Sequence, residues 1–182
     1  AVETLKAVLP GRVLNELSKI RAEDEEDCTL LIDKTRMQAK FGNTKLSTVL
    51  LAGEYIDYRR ILPLSFKTVV KADRVGVQSA IDRASLMARE GKNNLIRMSM
   101  TGETLAITSN AELGDVLEEL DATLTGDPIE IAFNAKYIID VIRNITDDEL
   151  CMHFNSNVSP CVVSPIDGDQ YLYLILPVRV FS

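Results

Sequence analysis

Apolar and polar positions along the chain fall into one five-element pattern, a strand, a helix and three further strands, which occurs three times. In the first copy an apolar stretch at 6–9 leads into Pro10 and Gly11, which open a helix. Val13, Leu14, Leu17 and Ile20 then share one helical face, which predicts a helix from residue 11 to residue 21. Strands are predicted at 28–33, 37–41 and 45–51, and the acidic run 23–27 reads as a solvated loop. In the second copy, a strand at 68–72 meets Asp73, a helix N-cap, before Val77, Ala80, Ile81, Ala84 and Met87 mark a helix that stops near Gly91. Strands at 94–100 and 104–110 join through Thr101 and Gly102, and a third runs over 113–121. In the third copy Ile129, Ile131 and Phe133 alternate on a strand and Asn134 caps a helix carrying Ile138, Ile139, Ile142 and Ile145. Strands at 150–155, 161–165 and 170–177 complete it, with an Asp167-Gly168 hairpin turn between the last two.

The segments VLNELSKI (13–20) and IIDVIRNI (138–145) share an apolar pattern without sharing identities, and acidic residues lead from each into Cys28 or Cys151. A single unit offers one helix to one sheet face, so two units pair to bury both. The expected class is α+β, with repeated strand-helix-three-strand units and helices on one face of antiparallel sheets. Three copies make one and a half pairs, and the chain begins Ala-Val-Glu. Both features lead to the expectation that it belongs to a longer protein.

Composition adds limits to this frame. The longest apolar run, 171–176, is far short of the roughly 20 residues that span a bilayer. No basic-then-apolar leader opens the chain, so a cytoplasmic protein without a membrane partner is expected. Cys28, Cys151 and Cys161 are odd in number and lack Cys-x-x-Cys spacing, which favours small buried hydrophobes over redox or metal roles.

The net charge of −7 argues against a nucleic-acid partner until its distribution is considered. Eight cations (Arg12, Lys19, Arg21, Arg74, Arg83, Arg89, Lys136 and Arg143) lie on the outward helix faces or helix ends, against Glu16, Asp82 and Asp140. The helices are therefore net positive and the remainder strongly negative. Such a protein can hold duplex phosphate on its helical side, weakly, salt-dependently and without reading bases. Solvated helix faces carry cations for no such reason too, and both readings stand on charge alone.

Catalytic chemistry is sparse. His153 is the only histidine, on a strand between Met152 and Phe154. Neither a glycine-rich dinucleotide or phosphate loop nor a Gly-x-Ser-x-Gly elbow is present, and no cofactor is implied. Asp147, Asp148 and Glu149 read as a loop, although a hydrolase using them with His153 is one alternative. A scaffold that oligomerises without touching DNA is another.

Four segments carry a family resemblance: DYRRILP (57–63), DRASLMAREGKNN (82–94), FNAKYIIDVI (133–142) and LILPVR (174–179). In order and spacing they resemble the C-terminal half of the bacterial DNA polymerase III beta subunit, the sliding clamp. The likeness covers essentially the whole chain and implies a DNA-clamp fold. Residues 1–64 resemble the second half of the clamp's middle domain, and residues 65–182 its complete third domain. It implies a non-catalytic processivity factor, a head-to-tail ring of two chains around duplex DNA. Such a ring tethers the DNA polymerase III alpha subunit and is handled by the clamp loader.

By match to the motifs, the family's peptide-binding pocket falls on Arg60, Ile61, Asn134, Tyr137, Val158, Pro160, Leu174, Ile175, Leu176, Pro177, Val178 and Arg179. The DNA-facing cations would be Arg12, Lys19, Arg83, Lys136 and Arg143. The contact with the second clamp chain would use Leu86, Met87, Glu112, Asp115 and Glu118. Without the resemblance, Asn134 reads equally as a plain N-cap, Tyr137 as a core aromatic and the final strand as a sheet member. The sequence departs from the family at Ile56, where proline is common, and at Phe181 and Ser182, which extend the usual end. The surface that would receive the second-chain contact lies outside these residues, so this chain alone is not expected to close a ring.

Overall fold

A computed structural model describes residues 5–20, 28–90, 94–112 and 114–180. Arg21, the acidic run 23–27, the helix stop at Gly91, Leu113, Phe181 and Ser182 lie outside the described residues. The chain divides into two compact units, Ala1–Tyr58 and Arg59–Ser182.

The first unit contains α1 (Gly11–Lys19) and an antiparallel meander of β1 (Thr29–Ile32), β2 (Arg36–Phe41) and β3 (Thr44–Val49). Met37 and Ala39 of the central strand are buried on one sheet face, as a period of two requires. No residue of α1 is buried, and Leu14, Leu30 and Leu31 remain exposed. A lone repeat has one sheet and one helix, and too little surface to cover both. The strand expected at 6–9 is not formed. Among the described residues the segment makes one backbone bond, Leu51 N–H to Val8 C=O at 2.9 Å, where a ladder needs several.

A short 3₁₀ turn, Tyr58–Arg60, spans the unit boundary, and the second unit holds the paired repeats. The earlier repeat is β4 (Thr68–Asp73), α2 (Arg74–Ala88), β5 (Leu95–Thr101), β6 (Thr104–Ala111) and β7 (Gly114–Gly126). The later one is β8 (Ile129–Asn134), α3 (Ala135–Ile142), β9 (Glu149–Phe154), β10 (Cys161–Ser164) and β11 (Tyr173–Ile175). Their strands form one antiparallel sheet in the order β11-β10-β9-β4-β7-β6-β5-β8. The order encodes an exchange: β4 pairs with β9 of the later repeat, and β8 returns to pair with β5 of the earlier one.

Both helices start directly on a strand end with a side-chain cap. Asp73 Oδ2 accepts from Gly76 N–H at 2.5 Å, and Asn134 Oδ1 from Lys136 N–H at 3.0 Å. Ala80, Ala84 and Ala88 give α2 a low-relief stripe on which Ile138, Ile139 and Ile142 of α3 share one core with Val70, Ile96, Met98, Leu105, Phe133 and Phe154. Gly126 turns the chain out of β7 at φ +102°, where a Cβ would stand 1.9 Å from the Lys67 carbonyl oxygen.

Three predicted boundaries are corrected. β7 continues to Gly126 instead of stopping at 121, because β4 pairs with its last residues, from Thr68↔Gly126 to Ala72↔Ala122. The last strand is Tyr173–Ile175 rather than 170–177, since β10 offers it only Cys161, Val162 and Val163 as partners. The connection before it is the long loop 165–172, with Gly168 at φ 90°, not a tight hairpin.

Candidate functional site

The segment after β11 is positioned by alternation and by proline. Ile175 points into the core at 3% exposure, so the next residue, Leu176, points out and is 62% exposed. The Ile175 side chain belongs to the core cluster, although the motif match places this residue in the pocket. Pro177 has no N–H to extend the ladder. The chain then crosses to β8, where Val178 N–H donates to the Ala132 carbonyl at 2.8 Å. Tyr137, one turn into α3, is 56% exposed and Val158, in the β9–β10 loop, 55%. Pro160 and Leu174 are half-buried.

A depression of about 550 Å³ opens beside this crossing, and Val158, Val178 and Arg179 line it. Of the residues placed in the pocket by motif, Arg60, Ile61, Asn134, Tyr137, Pro160, Leu174, Leu176 and Pro177 do not line it. Ile61 and Arg60 are exposed at the start of the second unit, and Asn134 is engaged in capping α3. Six further lining residues escaped sequence reasoning as members of the site: Arg97, Glu130, Ile131, Ala132, Asn157 and Val180. Arg97 and Glu130 read only as polar outward positions on separate strands. The β5–β8 pairing makes them neighbours, with Arg97 Nη1 3.2 Å from Glu130 Oε1.

Most of the helix cations assigned to DNA already have anions nearby. Arg83 donates twice to Glu118 of β7, from Nε at 2.7 Å and Nη2 at 2.6 Å. This bond lowers the Glu118 carboxyl below, and raises the Arg83 guanidinium above, its ordinary value. Arg143 lies 3.7 Å from Asp82 across the α2–α3 pair, and Lys19 is 3.0 Å from Glu16. Lys136 and Arg12 are exposed on their helices. Arg74, which counted toward the positive helices, turns its Nε back to the Asp147 carbonyl at 2.7 Å.

The residues assigned to the second-chain contact gather beside an open strand edge. β4 pairs with β7 only from Ala122 onward, so over 114–121 β7 bonds β6 on one side and no described strand on the other. Leu117 on that stretch is 63% exposed and Leu86 on the adjoining helix 64%. Glu112 and Asp115 are exposed, Met87 is half-buried, and Asp115 Oδ1 accepts from Asn110 Nδ2 at 2.9 Å.

His153 sits away from acids. Its Nε2 contacts Ser164 Oγ at 2.9 Å and Cys151 Sγ at 3.5 Å, and its ring lies 4.8 Å from that of Phe66. Burial holds the imidazole below its ordinary pKa. Asp147, Asp148 and Glu149 line a separate depression that His153 does not reach, and Asp147 accepts the Tyr171 hydroxyl at 2.6 Å. An acid aligned on the half-buried His153 is therefore not what these residues form. No group of three or more metal-ligating side chains occurs among the described residues. No helix among them is long and apolar enough to cross a membrane.

Comparisons with known proteins agree with this geometry. The family model described as DNA polymerase III beta subunit, C-terminal domain, matches residues 59–179. The Staphylococcus aureus protein named "Beta sliding clamp" is 35% identical over 181 residues, 98% of this chain and 48% of that protein. The solved Bacillus subtilis DNA polymerase sliding clamp superposes with a TM-score of 0.82 at 34% identity, over 96% of this chain and 47% of that one. The Streptococcus pneumoniae DNA polymerase III beta chain gives 0.84 at 28% identity, over 96% and 47%. The chain thus spans about half the length of the relatives it matches, and it belongs to the DNA polymerase III beta subunit family, the sliding clamps.

Proposed function

We propose that this chain is part of a non-catalytic processivity clamp that encircles duplex DNA without sequence preference and tethers replication partners by short peptides. In this reading residues 1–64 are the second half of a middle clamp domain and residues 65–182 a complete third one, acting in the cytoplasm. The partners are duplex DNA, the polymerase III alpha subunit, the clamp loader and a second clamp chain. The last would dock on the open β7 edge beside Leu86 and Leu117.

The observation that carries the proposal is the crossing from β11 to β8. It leaves Leu176 outside the core and carries the chain on to Val178, which lines a depression together with Val158, so that exposed apolar side chains are on offer to a peptide with leucine and an aromatic residue. Burying two or three such side chains contributes about 1.5–3 kcal/mol each. Ordering a flexible peptide offsets much of this, which leaves affinity on the order of micromolar. A site that successive partners share requires such weak, exchangeable binding. Tethering then works through effective concentration, since a polymerase that leaves the primer end stays close to it.

The test is titration of a labelled peptide with a Gln-x-Leu-Phe core against this chain and against a form truncated after Leu176. The expected result is micromolar binding that truncation abolishes. Equal binding by both forms would remove Val178 and Arg179 from the site. Duplex binding whose affinity does not fall with salt would rule out the phosphate reading and favour a scaffold without DNA contact.

A further inference from the structure

The edge of β8 outlasts the segment that covers it. Among the described residues β8 pairs with β5 on one side, and its other side takes one backbone bond, from Val178 N–H to Ala132 C=O. In a strand, residues two apart present their backbone groups to the same side, so Glu130 faces outward along the edge that Ala132 begins. The depression at the crossing and a second one of about 400 Å³ both include Glu130 and Asn157. Sharing these two lining residues, the depressions adjoin, and together they run as a trench between the β8 edge and the start of the β9–β10 loop, with Lys67 and Asp127 at the far end. Its walls near the crossing carry two guanidiniums, Arg97 and Arg179, against one carboxylate, Glu130.

We propose that this trench receives the segment flanking the apolar core of a bound partner peptide, as a short added strand on β8 with an acidic side chain toward Arg97. The inference rests on the peptide-pocket reading above and extends that site. Three features support this occupant over another. The trench is continuous with the apolar surface at Val178. An unpaired strand edge recognises extended backbone of any sequence. The excess of guanidinium over carboxylate selects an acidic rather than a basic flank, because planar guanidinium meets carboxylate with paired hydrogen bonds. Glu130 would yield part of its pairing with Arg97, an exposed contact that water screens and that is easily exchanged.

Three peptides separate this proposal from the reading beneath it: the Gln-x-Leu-Phe core alone, the core with a four-residue flank containing two glutamates, and the same flank with two lysines. Each flank is tried at both ends of the core. The glutamate flank is expected to tighten binding by roughly threefold to tenfold at one end, by an exposed ion pair plus one or two backbone bonds. The gain should shrink as salt is raised. Arg97→Ala should bring the glutamate and lysine peptides to the same affinity. N-methylation of the flank's backbone amides should also reduce the gain. If the three peptides bind equally while the core binds well, the trench proposal is overturned and the pocket stands. If the core itself fails to bind, the pocket is overturned and the extension with it.

Discussion

Ile175 and Leu176 are adjacent, similar in size and opposite in environment, so replacing each by alanine separates fold from binding. Ile175 is 3% exposed among core residues, and its truncation leaves a cavity costing about 2–5 kcal/mol of stability. Leu176 is 62% exposed, so only the smaller part of its surface is buried by the fold, and Leu176→Ala should cost less than about 1 kcal/mol. A peptide lying over Leu176 would remove that exposed majority from water. At about 1.5–3 kcal/mol for a whole leucine side chain, this share comes to about 1–2 kcal/mol, or about fivefold to thirtyfold in affinity. The assays are urea denaturation followed by far-UV circular dichroism, since the chain has no tryptophan, and fluorescence anisotropy of a labelled core peptide. The expected pattern is a large midpoint loss with Ile175→Ala, and a weakened peptide with near-normal stability for Leu176→Ala. Unchanged peptide affinity in Leu176→Ala, or a stability loss equal to that of Ile175→Ala, would refute the argument from alternation.

Two further outcomes follow from the electrostatics. His153 is held neutral by burial, its folded pKa lying below the usual 6.5. The unfolded chain therefore takes up a proton first as pH falls, and this contribution, complete above that value, is lost progressively below it. The urea midpoint should drop as pH falls through the ordinary histidine value of about 6.5, and His153→Gln should flatten that drop; a parallel drop in the variant would assign the effect elsewhere. Glu118→Gln should release Arg83, raising duplex affinity and steepening the log-log salt slope by about 0.9. Arg83→Ala should change duplex binding less than Lys136→Ala does, and equal losses would show that the Arg83–Glu118 pair opens on DNA.

What the sequence revealed divides by range of interaction. The two helices of the second unit and their caps were legible because Asp73 and Asn134 act on amides two or three residues away. The ends of β7 and β11 were not, since each is set by how many residues a distant partner strand supplies. Ile175 and Leu176 were assigned to one site by motif match alone, and the alternation that turns Ile175 into the core and Leu176 out of it was not used. Arg83 was assigned to DNA and Glu118 to a second chain, although they hold one another. Nothing in their separation of 35 positions signals that pairing. Arg97 and Glu130 were missed for a like reason, becoming neighbours only when β8 returns to β5. The stretch 6–9 has the composition of a strand, but among the described residues it has one backbone bond, to Leu51, in place of a ladder.

The exchange of strands between the two repeats governs how the second unit can be made. A nascent chain that has emerged only as far as Gly126 presents β4 without β9 and β5 without β8, two apolar edges open to any extended polypeptide nearby. Neither repeat can complete its sheet first and wait for the other. The unit should therefore acquire its cooperativity late and fold slowly for its size, because its decisive contacts join residues as far apart as Thr68 and Phe154. During synthesis it would depend on protection from aggregation until β8 and β9 arrive.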